Sequence, residues 1–130
     1  MNALHRSAHQ KLSRVFDAFT ADTQAWFEVI TGAGDIAFCA GSDLKNMLEA
    51  GGGYIPAKGF TGLTNRLDPA KPVIALVNGV AIGGGFKTVL PGNFVVATEH
   101  TCFGFPELRV GLVAIGSGVQ RLARQIPLKQ

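Results

Sequence analysis

The spacing of apolar residues along the chain predicts helices that alternate with short strands. Residues 3–19 carry apolar side chains at helical spacing, which predicts an amphipathic helix. The residues on that face are Leu4, Ala8, Leu12, Val15, Phe16 and Phe19. The apolar runs 26–31, 73–77 and 94–98 are short and bounded by turn residues, which predicts three buried strands.

Shorter helices are predicted between and after these strands. Ser42 and Asp43 are good helix-capping residues for a helix over roughly 43–50. The other predicted helices are a weaker one over 60–67, one that starts at the glycine triplet 83–85 and ends at Leu90, and one over 118–126. Residues 32–41 and 51–60 are predicted to be loops. The alternation of helix and strand indicates a layered α/β fold in one domain.

Composition narrows the class of protein. The chain has 130 residues, of which 47% are hydrophobic, and a net charge of +3, so it is not disordered. Its basic residues are scattered, and no basic stripe with interleaved aromatic residues indicates a nucleic-acid interface. No apolar run reaches the length of about 20 residues that a membrane helix needs. Cys39 and Cys102 form no CxxC pair, which favours a reducing compartment. All 17 glycines lie between Gly32 and Gly118, so the glycines mark particular local structures.

Two glycine-rich junctions between a strand and a helix are candidates for ligand binding. They are residues 38–44 and 78–85, and both place small residues at the bend. Small residues let a ligand approach backbone N–H groups, and a helix start adds its positive dipole end. Two such junctions side by side would form an oxyanion hole, which is a pair of N–H donors for one carbonyl oxygen. The alternative is that both are tight turns packed against their neighbours.

Three further features have a chemical and a purely structural interpretation. Glu107 lies in an apolar loop among Phe residues, where poor solvation of its carboxyl group would suit acid/base chemistry; the alternative is a surface carboxylate. His5 and His9 have the i, i+4 spacing of a metal pair, but without a third ligand we expect two solvated helix residues. Residues 32–37 match the GxGxxA pattern, but no helix opens there, which favours a strand-exit loop over dinucleotide binding.

Several stretches together resemble the enoyl-CoA hydratase/isomerase (crotonase) family. Their order and spacing fit the family from about Asn2 to the last residue. The stretches are 30–35 (ITGAGD), 37–44 (AFCAGSDL), 71–75 (KPVIA), 78–85 (NGVAIGGG), 103–107 (FGFPE), 109–112 (RVGL) and 120–122 (QRL). The resemblance implies a crotonase-like spiral core of ββα turns.

The resemblance covers only about the middle half of a full-length member. It therefore predicts that residues 1–130 form a partial crotonase-like domain, truncated at both ends, without the N-terminal strands and the C-terminal helices that build homotrimers. We expect that this chain cannot form such a trimer normally. The implied location is intracellular and cytoplasmic, with mitochondria or peroxisomes as alternatives in a eukaryote.

The family's site residues transfer to this chain by motif. The backbone N–H groups of Ala40 and Gly84 would form the oxyanion hole for an acyl-CoA carbonyl, and Glu107 would be the acid/base. The residues that would border the bound substrate are Ala37, Phe38, Asp43 and Gly83. The resemblance implies an acyl-CoA substrate, no separate cofactor because coenzyme A is part of that substrate, no metal, and neither a nucleic-acid nor a membrane partner.

One departure from the family pattern affects the chemistry. Family hydratases use two glutamates around one water molecule, and at the position of the first this chain has Lys87. In a desolvated site Lys87 would either lose its proton or pair with Glu107 and keep it ionised. The resemblance implies a hydratase/isomerase-type enzyme that passes through a stabilised enolate. The alternative is a catalytically disabled fragment or a non-enzymatic remnant of the family.

Overall fold

A computed structural model describes residues 1–66 and 71–127, in which short strands and helices alternate. The helices are α1 (Arg6–Ala21), α2 (Leu44–Glu49), α3 (Gly84–Val89) and α4 (Gly118–Leu122), with 3₁₀ turns at Phe60–Gly62 and Pro106–Val110. The strands are β1 (Glu28–Thr31), β2 (Ala37–Cys39), β3 (Val73–Val77), β4 (Val80–Ile82), β5 (Phe94–Ala97) and β6 (Phe103–Gly104).

The strands form two parallel sheets that grow in step along the chain. One sheet has the order β1-β3-β5 and the other β2-β4-β6. Ile30 pairs with Ala75 in the first sheet, and Cys39 pairs with Ala81 in the second. Successive strands therefore alternate between the sheets, and a helix follows each of the first two strand pairs. This repeat confirms the predicted stack of ββα turns.

The strongest sequence signals predicted their elements well. Strand β3 has the predicted limits, and α2 begins where predicted, because the Asp43 side chain caps it by accepting a hydrogen bond from Asn46 N at 3.1 Å. The weaker helix predicted over 60–67 is only a 3₁₀ turn over the first three residues, and residue 67 lies outside the described part. The predicted loop over 32–41 contains the three-residue strand β2.

Burial of the predicted strands is where the sequence interpretation is partly wrong. All four residues of β5 are exposed, with Phe94 at 62%, and the residues of β1 alternate between half-buried and exposed. Trp26 is 81% exposed and precedes β1. An apolar run shows that a strand can be buried, but burial also needs a second layer that covers the strand. In the described part of the chain, all four side chains of β5 remain exposed.

The core lies between α3 and the strands of both sheets. Its main cluster comprises Phe38, Cys39, Ala75, Val77, Ala81, Phe86, Val89 and Leu90. Helix α3 approaches β2 so closely that a Cβ atom at Gly85 would lie 2.0 Å from the carbonyl oxygen of Cys39. Only glycine allows this backbone contact.

The segment after α3 forms an ordered turn. The helix ends at Val89, before Pro91, which cannot continue it. Asn93 then forms two hydrogen bonds with Val73, the first residue of β3. The Asn93 N–H donates to Val73 O at 2.8 Å, and its side-chain oxygen accepts from Val73 N at 2.9 Å. This turn is therefore a connection that places β5 beside β3.

Candidate active site

The two glycine-rich junctions meet in the structure. Gly41 adopts a φ of +89°, and a Cβ atom there would lie 2.8 Å from Gly84 N and 3.0 Å from Ile82 O. Glycine at position 41 therefore provides both the left-handed backbone and the close approach. The turn after β2 and the start of α3 are in direct backbone contact, as the oxyanion-hole interpretation requires.

A cavity of about 310 Å³ opens beside this contact. Its lining residues are Ala40, Gly41, Ser42, Leu44, Ile82, Gly83, Gly84, Pro106, Glu107, Arg109, Val110 and Leu112. Four of the predicted site residues, Ala40, Gly83, Gly84 and Glu107, are among them. The cavity thus combines both junctions with the candidate acid/base.

Gly84 presents a backbone donor at this cavity. It is the first residue of α3, so its N–H has no acceptor within the helix. Gly83 has a φ of +53° and donates its own N–H to Gly104 O at 2.9 Å. Gly83 therefore shapes the turn, and Gly84 provides the donor.

The predicted donor at Ala40 is engaged elsewhere and needs correction. Ala40 N donates to Met1 O at 2.9 Å. Ser42 lies two residues further along, between two residues that form backbone hydrogen bonds with Leu4. Leu4 N donates to Gly41 O, and Asp43 N donates to Leu4 O. Among the described residues, the N–H of Ser42 itself donates to none. The N–H of Ala40 is therefore not free, and the open N–H in this segment belongs to Ser42 because of the long-range pairing with Leu4.

Glu107 and Lys87 form a buried ion pair at the edge of the cavity. Lys87 Nζ lies 2.7 Å from Glu107 Oε1, and the two side chains are 7% and 11% exposed. Neither carboxylate oxygen accepts a directed hydrogen bond from the described residues. The pairing expected from the sequence is therefore present as a direct contact between the two side chains.

The surroundings of Lys87 accommodate the lysine side chain. A Cβ atom at Gly118 would lie 3.1 Å from Lys87 Cγ, so α4 has space for the aliphatic part only because it starts with glycine. The ammonium group lies 5.8 Å from the ring centroid of Phe60. Lys87 is thus packed and charge-paired.

The other predicted binding residues have structural contacts. Ala37 and Phe38 are buried in β2, and their carbonyl oxygens accept hydrogen bonds from the Asn2 side chain at 2.8 and 3.3 Å. Asp43 caps α2. None of these three lines the 310 Å³ cavity, so their contact with a substrate remains a prediction.

The prediction that His5 and His9 are both solvated is wrong for His9. His5 is exposed, and its Nδ1 caps α1 by accepting from Ala8 N at 3.2 Å. His9 is buried, and its Nδ1 accepts from Thr61 N at 3.1 Å. Burial, and to a lesser extent the nearby His5, lowers the pKa of His9. The signal in the sequence that could have indicated this burial is the position of His9 beside the apolar face of α1.

The described residues contain neither a cluster of metal-binding side chains nor a helix that could span a membrane. Residues 1–66 and 71–127 contain no group of three or more His, Cys, Asp or Glu side chains that could hold a metal ion. In the same ranges no helix combines the length and the apolar character that crossing a membrane requires.

The architecture defines a crotonase-fold chain. A carnitinyl-CoA dehydratase structure from Mycobacterium avium superposes with a TM-score of 0.87 at 39% identity, covering 96% of this chain and 50% of that one. An enoyl-CoA hydratase structure from Mycobacterium tuberculosis gives a TM-score of 0.86 at 36% identity, covering 96% and 48%. Both share the fold over about half of their length.

Sequence comparison then gives the family. The model of the enoyl-CoA hydratase/isomerase family matches residues 1–130, and the chain belongs to that family. Carnitinyl-CoA dehydratases of Proteus mirabilis and Escherichia coli K12 are 39% and 40% identical over 128 residues, which is 97% of this chain and 49% of each relative. The chain therefore spans about half the length of these curated relatives.

Proposed function

We propose that the chain binds acyl-CoA thioesters and forms their enolates by moving a proton to and from Glu107. The observation that carries this proposal is that the open N–H groups of Ser42 and Gly84 belong to residues of the same cavity as Glu107. Two backbone donors at one carbonyl oxygen stabilise the negative charge that develops when an adjacent proton is removed. The Ala37–Ala40 stretch would border the coenzyme A groove.

The charges at this cavity favour a double-bond shift over the addition of water. A protonated lysine has three donors and no acceptor, so Lys87 cannot take a proton from water as a second glutamate would. A single carboxylate at Glu107 can remove a carbon-bound proton and return it at another carbon, which needs no second acid/base residue. We therefore propose isomerase-type chemistry on a 3-enoyl-CoA, with no cofactor besides the coenzyme A of the substrate.

A second candidate is a non-catalytic acyl-CoA-binding chain. The observation in its favour is the same ion pair, because one oxygen of Glu107 is already held at 2.7 Å by Lys87. A base that must release this contact before it accepts a proton would be a poor one. The two candidates make the same prediction for binding and opposite predictions for turnover.

The test combines a binding and a turnover measurement on the purified chain. Calorimetry with a saturated acyl-CoA should show binding in the wild type, and absorbance should show conversion of a 3-enoyl-CoA to the conjugated 2-enoyl-CoA. Glu107→Gln should keep the binding and lose the conversion. Binding without conversion in the wild type would favour the second candidate, and absence of both would reject each of them.

Lys87→Glu tests whether the missing second carboxylate is what prevents hydration. It restores the residue type that family hydratases have at this position, so hydration of a 2-enoyl-CoA should appear only in this variant. Hydration by the wild type would contradict the role proposed for Lys87.

A further inference from the structure

A strained backbone turn lies behind the candidate oxyanion hole. Thr61, in the middle of the 3₁₀ turn Phe60–Gly62, has a φ of +57° and is 0% exposed. A β-branched residue in this left-handed region is costly, and such a conformation persists only where its surroundings hold it. Threonine does not favour this conformation by itself, so contacts with neighbouring residues must hold Thr61 in it.

His9 provides one of these contacts from α1. Its Nδ1 accepts the hydrogen bond from Thr61 N, a buried donor that would otherwise have no partner. The same imidazole packs edge-on against Phe60, with 4.5 Å between the ring centroids. His9 thus fixes both the strained residue and the aromatic ring that precedes it.

The ring of Phe60 transmits this restraint to the cavity. A Cβ atom at Gly84 would lie 2.2 Å from Phe60 Cζ, so the ring edge rests directly against the residue that provides the backbone donor. Thr88 strengthens the link, because its hydroxyl donates to Gly84 O at 2.9 Å and contacts the Thr61 hydroxyl at 3.4 Å. A shift of the turn would therefore move Gly84.

We propose that His9 is a positioning residue that aligns the Gly84 N–H in the oxyanion hole, acting through Thr61 and Phe60. This inference rests on the proposed function, since it assigns His9 to the geometry of that same donor. A displacement of a catalytic group by about 1 Å can reduce a rate by about a hundredfold. A purely structural histidine would instead affect only folding stability.

The test uses a ligand whose spectrum reports carbonyl polarisation. A conjugated 2,4-dienoyl-CoA shows a shift of its absorbance to longer wavelength when two donors polarise its thioester carbonyl. We expect this shift with the wild type and with His9→Asn, because the Asn side-chain oxygen can replace Nδ1 as the acceptor. His9→Leu, which has no acceptor, should bind the ligand and lose most of the shift.

Turnover of a 3-enoyl-CoA provides the second readout. His9→Leu should lower kcat by about tenfold to a hundredfold with a smaller change in KM. The reason is that displacing the Gly84 N–H weakens stabilisation of the enolate more than it weakens binding of the substrate. His5→Asn is the matched control on the same helix. It keeps the helix cap, does not contact the Phe60–Gly62 turn, and should match the wild type in both readouts.

Phe60→Leu keeps the inference testable if His9→Leu does not fold. This variant leaves the hydrogen bond between His9 and Thr61 in place, removes the ring edge from Gly84, and should also lose most of the spectral shift. A wild-type shift in a folded His9→Leu or Phe60→Leu variant would overturn the positioning role and leave the proposed function intact. Absence of the shift in the wild type would overturn both.

Discussion

At the scale of single residues, the buried Lys87–Glu107 pair should make stability sensitive to the loss of either charge. Both side chains are nearly inaccessible, and their contact is 2.7 Å long. Removing one partner of such a pair leaves the other charge buried without compensation, which costs about 3–5 kcal/mol. Lys87→Met should therefore lower the free energy of unfolding in urea by about that amount.

A double variant separates the pairing from the packing of the lysine stem. In Lys87→Met/Glu107→Gln neither charge of this pair remains, so at least half of the stability lost in Lys87→Met should return. If the two single losses simply add in the double variant, the pair does not contribute as the structure indicates.

His9 makes stability depend on pH. Its Nδ1 accepts a hydrogen bond from Thr61 N, so a protonated imidazole would have to break that contact. Burial, then repulsion from His5, lowers the pKa of His9 in the folded chain. The unfolded chain therefore binds the proton more readily, and stability falls as the pH decreases below the ordinary histidine pKa of about 6.5.

Charged and titratable groups near His9 include His5, which caps its helix, Arg6 on that helix, and Tyr54, whose ring centroid lies 6.3 Å away. Urea unfolding at pH 7.5 and pH 5.5 should show a loss of stability in the wild type that is smaller in His9→Asn. An equal loss in both proteins would assign the pH dependence to other groups.

At the scale of elements, the contact between α3 and β2 depends on a glycine. A methyl group at Gly85 would lie 2.0 Å from Cys39 O, so α3 would have to move away from the strand. Gly85→Ala should cost about 3 kcal/mol or prevent folding, which is the upper range for overpacking a core. Gly104→Ala is the matched control, because nothing lies within 4 Å of a Cβ atom there. Comparable urea midpoints for the two variants would contradict this packing.

The elements also show what the sequence could predict. Strand β3 and helix α2 were predictable because a continuous apolar run and a capping aspartate are local signals. Strand β2 was not, since three residues inside a glycine-rich loop give no periodic pattern. The choice of Ser42 over Ala40 as the open donor depends on pairing with Leu4, about 40 residues away, and no local motif contains that information.

At the scale of the whole molecule, the described surface includes apolar strand residues without a covering layer. In β5, an edge strand of its sheet, Phe94 and Val96 are 62% and 59% exposed. An exposed apolar edge strand is a site for association with other chains. We therefore expect concentration-dependent oligomers in analytical ultracentrifugation. Phe94→Lys/Val96→Lys should reduce them, and a monodisperse wild-type monomer would contradict the expectation.

The function we propose rests on one chemical event, which is removal of a proton next to a thioester carbonyl that the N–H groups of Ser42 and Gly84 would hold. Proton NMR of a saturated acyl-CoA in D₂O measures this event without requiring water addition or a double bond. We expect the wild type to exchange the protons on the carbon next to the carbonyl, and Glu107→Gln to bind the ligand without exchanging them. Equal exchange by both proteins, or binding without exchange by the wild type, would contradict it.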